Sequence, residues 1–220
     1  MDKLIKALIA GALSVLLLPG LPRTGPVRVA CVGDSITYGH GISSRGENSY
    51  PARLGSLLGE DYLVENFGDP GSAVLSGSDQ PYESRELYAD SLDFDADIVV
   101  FMMGTNDSKP QNWQGEEVFR RDLEALLDSY AGTEIYLCTP AKAFFAKGYS
   151  GNVTMFEIQP ETVATIAEIV RQVARERGYP LIDIHALTAE NPKWFREDGV
   201  HPDKKGAAAI AQAVYEALTP

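Results

Sequence analysis

The chain has 220 residues, 45% hydrophobic and 23% charged, which suits one α/β domain with room for a full core. Nineteen basic against 31 acidic residues give a formal charge of −12, which argues against nucleic acid, anionic membrane surfaces and strongly polyanionic substrates and leaves neutral substrates as the easier fit. No linker or internal repeat is visible.

In chain order, Lys3 and Lys6 precede an apolar stretch over residues 7–18 that closes at Pro19-Gly20-Leu21-Pro22. That is the layout of a secretory signal, too short for an ordinary membrane-spanning helix. Residues 1–22 are therefore expected to be a signal peptide or an uncleaved N-terminal anchor, and residues 23–220 a single domain, secreted or periplasmic. Asp2 in the basic region and the lack of a small-x-small cleavage site leave both forms of leader open.

Residues 27–32, apolar apart from Arg28, read as a buried parallel strand that stops at Gly33-Asp34-Ser35. Ser35 thus stands at a carboxyl strand end, where open α/β sheets bind ligands and where a loop entering a helix offers N–H groups to an anion. It is a candidate nucleophile; the alternative is that Asp34 or Ser35 only caps the next helix. A helix follows over residues 49–58 with Pro51 early in it, then a strand over 62–66 and a loop over 68–77 rich in Gly, Ser and Pro. A helix over 83–92 leads to the clearest buried strand, 97–103, which ends in Gly104-Thr105-Asn106-Asp107. The amphipathic helix 115–130 carries Val118, Leu123, Leu126 and Leu127 on one side, and the strand 134–138 stops at Thr139-Pro140. Residues 141–152 have no clean period and are expected to loop over the site. The helix 160–177 closes at Gly178, a short strand covers 181–184, and residues 207–218 have a helical pattern. Strands alternating with helices imply right-handed crossovers and a three-layer α/β/α sandwich around a five-stranded parallel sheet, for which the order 2-1-3-4-5 fits.

A second candidate cluster is Asp198-Gly199-Val200-His201. A hydroxyl is a poor nucleophile until a base takes its proton, and the base needs a group that holds its ring and stabilises the imidazolium. Asp198 and His201, three residues apart in a Gly-containing turn, suit those two roles. The chain has only three histidines, which gives the pairing with Ser35 its weight.

Gly33-Asp34-Ser35, Asn66-Phe67-Gly68-Asp69-Pro70-Gly71, Gly104-Thr105-Asn106-Asp107 and Asp198-Gly199-Val200-His201 resemble, in order and spacing, the four motif blocks of the SGNH (GDSL-type) hydrolases. The resemblance covers nearly the whole chain after the leader and implies the same fold. It makes Ser35 the nucleophile, His201 the base and Asp198 its orienter, with Ser35, Gly71 and Asn106 as oxyanion donors. Gly68 is the alternative to Gly71 as the source of the backbone N–H. The implied activity is that of a serine esterase removing short acyl groups, acetyl first, from carbohydrate. A lysophospholipase or thioesterase, or an idle carbohydrate-binding member of the family, are the alternatives.

No cofactor and no metal are expected. His185 with Asp183 matches no common ligand spacing, and neither Gly-Lys-Ser/Thr nor Gly-x-Gly-x-x-Gly occurs. Gly-x-Ser-x-Gly is absent around Ser35, which excludes the α/β-hydrolase elbow. Asp34, Trp113 and Trp194 are candidate substrate contacts, and the expected partner is a small-molecule or acetylated glycan substrate. Beyond the possible anchor no membrane partner is expected, and nothing in the sequence speaks to oligomeric state. Cys31 and Cys138 fall in buried strands separated by a third, too far apart to bridge, and should be reduced thiols. Asn106-Asp107-Ser108 fits the glycosylation sequon, a match read as chance.

Overall fold

The computed structural model describes residues 25–220, so the expected leader over residues 1–22 lies outside the described residues. The elements run β1 (Val27–Gly33), α1 (Ser35–Tyr38), α2 (Arg45–Asn48), α3 (Tyr50–Leu58), β2 (Tyr62–Gly68), α4 (Glu86–Asp93), β3 (Ile98–Met102), α5 (Glu116–Asp128), β4 (Glu134–Cys138), α6 (Pro160–Arg177), β5 (Leu181–Ile182), α7 (Ile184–Ala189) and α8 (Lys204–Leu218). All strand pairs are parallel, in the order β2-β1-β3-β4-β5. No helix among the described residues is long and apolar enough to cross a membrane.

Side chains alternate between the faces of a strand, and both faces of this sheet are covered. Ala30, Val32, Val99, Phe101, Ile135 and Leu137 point into a core closed by α5 and α6, with Phe119, Leu123, Leu127, Ile166 and Val170 as its filling. Val29, Cys31, Val100, Met102 and Cys138 point the other way, against Tyr50 and Leu54 of α3 and Ile210, Ala211 and Val214 of α8. Fully burying a side chain of this size contributes about 1.5–3 kcal/mol. Such residues on both faces make the central strands the rigid part of the fold.

Cys31 and Cys138 lie on β1 and β4 with β3 between them, and both are free thiols. Burial pushes the Cys31 thiol up to about 12, so neither chemistry nor bridging is open to it at ordinary pH.

Several element ends differ from expectation by one to three residues, and two of them have a clear local reason. The helix expected from residue 83 begins at Glu86, after a 3-10 turn over Tyr82–Ser84. Tyr82 is buried with its hydroxyl donating to the Phe67 carbonyl at 2.8 Å, and Arg85, ion-paired to Asp69, stays extended at φ −94° and ψ 148°. The last strand stops at Ile182 because Asp183 turns to cap α7, its Oδ1 accepting from the Ala186 amide at 3.1 Å.

The site depends on register. Gly33 lies opposite Gly68 on one side and Met102 on the other, so three strands end at one height. The end of β2 is pressed onto α1. Asn66 Nδ2 donates to the Thr37 carbonyl at 3.0 Å, and a Cβ on Gly68 would stand 2.7 Å from the Thr37 carbonyl carbon and 2.8 Å from Tyr38 Cα. Backbone cannot yield there as a flexible side chain would. Gly68→Ala is expected to cost roughly 1–3 kcal/mol, read as a lower urea midpoint. An unchanged midpoint would show that α1 and β2 are not locked together.

Candidate active site

Gly33 lets the chain leave β1 where a Cβ would fall 2.6 Å from the Met102 carbonyl oxygen. Asp34 caps α1, its Oδ1 accepting from the Ile36 amide at 2.8 Å, and Ser35 becomes the first helical residue. The first amides of a helix have no intrahelical partner, so the Ser35 N–H is available to an anion at the strand end. Gly39, at φ 86°, then turns the chain so that the His40 amide returns to the Ser35 carbonyl at 2.9 Å.

The Asp198 turn folds onto itself and onto its surroundings. Asp198 Oδ1 accepts from the Val200 and His201 amides at 2.8 and 2.9 Å, and Gly199 sits at φ 74° with the Phe144 and Phe145 backbone packed where a Cβ would be. The Phe144 amide donates to the Gly199 carbonyl at 2.8 Å. The expected site-covering loop 141–152 therefore supports the Asp198 turn at Phe144 instead of lining the cavity. On the other side, the Arg196 amide donates to the His201 carbonyl at 2.9 Å and the Asp203 amide to the Trp194 carbonyl at 2.7 Å.

Held in this way, His201 Nδ1 is 3.0 Å from Asp198 Oδ2 and His201 Nε2 is 3.0 Å from Ser35 Oγ. An ionised carboxylate only accepts, so Nδ1 carries the proton and Nε2 is left to accept from the serine hydroxyl. Burial alone would raise the Asp198 carboxyl; bonds from the His201 ring and the two amides outweigh it and hold Asp198 at about 2. It is a carboxylate throughout the pH range in which a histidine acts as a base.

Gly71 and Asn106 line the same cavity as Ser35 and His201. The Gly68 amide is already used by Asn66 Oδ1 at 2.9 Å, which favours Gly71 as the backbone donor. Asn106 Nδ2 donates one hydrogen to the Ser72 carbonyl at 2.9 Å, which fixes the amide plane and leaves its second hydrogen for a ligand. Only 6% of Asn106 is exposed, so it cannot be a glycosylation acceptor. Asp107 ties the two loops together, its oxygens accepting from the Val74 and Leu75 amides at 3.1 and 2.8 Å.

The cavity holds about 200 Å³. Pro70, Phe156, Ile158 and Val200 form its apolar wall, and His40 and Lys109 its remaining polar edge. Lys109 is ion-paired to Asp79 at 3.2 Å. Among the described residues no group of three or more His, Cys, Asp or Glu side chains could hold a metal ion.

Three expected substrate contacts need correction. Asp34 is 1% exposed and spent on the cap, because a carboxylate at that position satisfies an amide the helix leaves open. Trp113 and Trp194 are partly buried, the first packed beside Phe119 against the core under α5 and the second against the core under α8; neither lines the cavity. Tyr82 and Phe195 are buried. The wall residues that sequence reasoning missed are Phe156 and Ile158. One signal pointed to the latter: Ile158 and Val163 flank the start of α6 at the positions of a hydrophobic staple, and they share a small core with Ala143 and Val200.

A family model for GDSL-like lipases and acylhydrolases matches residues 31–209. The chain belongs to that family. It is 37% identical over 218 residues to an acetylxylan esterase of Xylanibacter ruminicola, an alignment covering 90% of this chain and 44% of that protein. The chain thus spans less than half the length of this relative. In fold it is similar to a carbohydrate acetylesterase family member from Sinorhizobium meliloti, with a TM-score of 0.69 at 23% identity over 87% of this chain and 97% of that one. The M. smegmatis aryl esterase gives a TM-score of 0.72 at 17% identity, covering 87% and 98%. At such identities the likeness speaks for the fold alone, which is the α/β sandwich with strand order 2-1-3-4-5.

Asp107 makes the site's construction testable. Its carboxyl is pushed up to about 7 by burial, against the two amide bonds that favour the charged form. The folded chain therefore keeps a proton that the unfolded chain, with an ordinary aspartate at 3.8, has already lost. The stability this contributes is complete below the unfolded value and disappears as pH rises through about 7. Between about pH 5 and pH 7 the urea stability of the native protein relative to Asp107→Asn is expected to fall with pH, by at most about 1.4 kcal/mol per unit. A difference that stays flat over that range would show Asp107 to be ionised throughout.

Proposed function

We propose that this chain is a serine esterase that removes short acyl groups, acetyl above all, from carbohydrate. The observation that carries the reading is the line from Asp198 through His201 to Ser35, with 3.0 Å at each step, ending in a cavity shared with Gly71 and Asn106. Ser35 Oγ attacks the ester carbonyl while its proton passes to His201 Nε2. Negative charge moves to the carbonyl oxygen, where the Ser35 and Gly71 amides and Asn106 Nδ2 receive it. Donors already aimed at that position need no reorganisation as charge develops, and losing one typically costs about 10²–10³-fold in rate. The imidazolium, paired with Asp198, gives its proton to the departing alkoxide, leaving an acyl-serine and a free alcohol. Water then repeats the sequence: His201 takes its proton, the hydroxide adds to the acyl carbon, and Ser35 leaves with the proton returned.

Acetyl as the acyl group and carbohydrate as the alcohol are supported by the 37% identity to the Xylanibacter ruminicola acetylxylan esterase and by the net charge of −12, which disfavours anionic substrates. A cavity of about 200 Å³ must also receive part of the alcohol, which limits the acyl chain. The apolar wall of Pro70, Ile158 and Val200 favours a second reading, a thioesterase or lysophospholipase with a longer acyl group. Each methylene reaching such a wall would gain about 0.8 kcal/mol, and one meeting a closed end gains nothing.

The test is a chain-length series of aryl esters at one pH with one leaving group, with Ser35→Ala as control. The kcat/KM is expected to be highest for acetate, lower for butyrate and very low for octanoate, and to vanish in the variant. A rate climbing toward octanoate would favour the second reading, and turnover retained by Ser35→Ala would remove the esterase assignment at this site.

A further inference from the structure

The ring of Phe156 stands at the mouth of the cavity with 52% of the residue exposed. Phe156 and Glu157 are successive non-glycine residues with positive φ, 57° and 62°. A backbone of that kind is unfavourable for a residue with a Cβ and persists only where its surroundings over-determine it. The surroundings do so here. Gln111 Nε2 donates to Glu157 Oε2 at 2.9 Å, Gln159 Nε2 to the Glu157 carbonyl at 2.9 Å, and the Gln159 amide to Ser108 Oγ at 3.1 Å. The loop is thereby tied to the segment that carries Asn106. Phe156 meets the His201 ring edge to face, with centroids 5.3 Å apart at 76°, while His40 covers another side of that ring at 4.6 Å.

The position of the leaving group follows from proton transfer. His201 Nε2 must come within hydrogen-bond reach of the departing oxygen, so the alcohol half of the ester lies beside the rings that border His201. The acyl carbonyl lies beside Gly71 and Asn106. Phe156 offers the alcohol no polar atom, only a flat apolar ring with a negative face. A pyranose matches it, with C–H groups for the flat face and hydroxyls around the rim that stay in water. A short alkyl alcohol cannot cover the ring, and a phosphate-bearing alcohol would be repelled by its face.

Resting on the esterase reading, we propose that Phe156 is a specificity-determining residue: a platform held in place by strained backbone, on which a sugar ring of the alcohol half stacks while its ester is cleaved. The measurement is kcat/KM for an acetylated xylobiose and for ethyl acetate, and the ratio of the two. The ratio is expected to fall about 10-fold or more in Phe156→Ala, through KM on the sugar ester, as loss of a stacking ring implies. Phe156→Leu, which fills the position without a flat face, should lose the ratio as well, and Phe156→Trp should keep it. An unchanged ratio in Phe156→Ala, whether both rates hold or fall together, would overturn the platform, as would a Trp variant that loses the ratio like Ala. Native protein that cleaves ethyl acetate and not the sugar ester would overturn it too and leave the esterase intact. Cleavage of neither would overturn the esterase reading, and the platform with it.

Discussion

Gly33, Gly68 and Met102 lie opposite one another across three parallel strands, and that shared height is what the rest of the site depends on. Parallel pairing fixes which residues stand level, and the covered faces forbid a slip, since one residue of shift would move every strand side chain into the opposite core, which is packed for a different set. The loops after β1, β2 and β3 therefore emerge together. One brings Ser35, the next Gly71 and the third Asn106. His201 comes from far along the chain, but its turn is pinned on both sides, by Phe144 at Gly199 and by Arg196 at the His201 carbonyl.

Three aspartates at the site differ because their surroundings differ. Asp198 keeps some contact with solvent and accepts from one ring and two amides, so it stays ionised. Asp34 and Asp107 are fully buried, and burial raises both despite the amides they accept from. The first orients a histidine, for which charge is needed. The other two hold backbone, one the entry to α1 and one the loop beyond Gly71, for which a hydrogen-bond acceptor in the right place suffices. Structure is maintained here at some cost in desolvation, and the cost falls directly beneath the reacting atoms.

What could be read from sequence was what is decided locally. Apolar runs ending in Gly-Asp-Ser and Gly-Thr-Asn-Asp mark strand ends, a Gly after 18 helical residues marks a C-cap, and the Asp198-Gly199-Val200-His201 turn closes within four residues. Phe156 and Ile158 of the cavity wall were hidden because they follow the segment 141–152, which has no clean period, and their loop is tied to the site through Gln111 and Ser108, partners about 45–50 residues away in sequence. Nothing about a phenylalanine announces a positive φ. Trp113 and Trp194 misled for the converse reason: both adjoin site loops in sequence, yet a large ring beside a core gains more by packing into it.

The central claim is that Ser35 is activated by His201. The most direct test is reaction of the protein with a fluorophosphonate followed by mass spectrometry of its peptides, alongside the His201→Ala variant. The account predicts one adduct per chain, on the peptide containing Ser35, and its near loss when the imidazole is removed. An adduct on another serine, or labelling of Ser35 undiminished without His201, would contradict it.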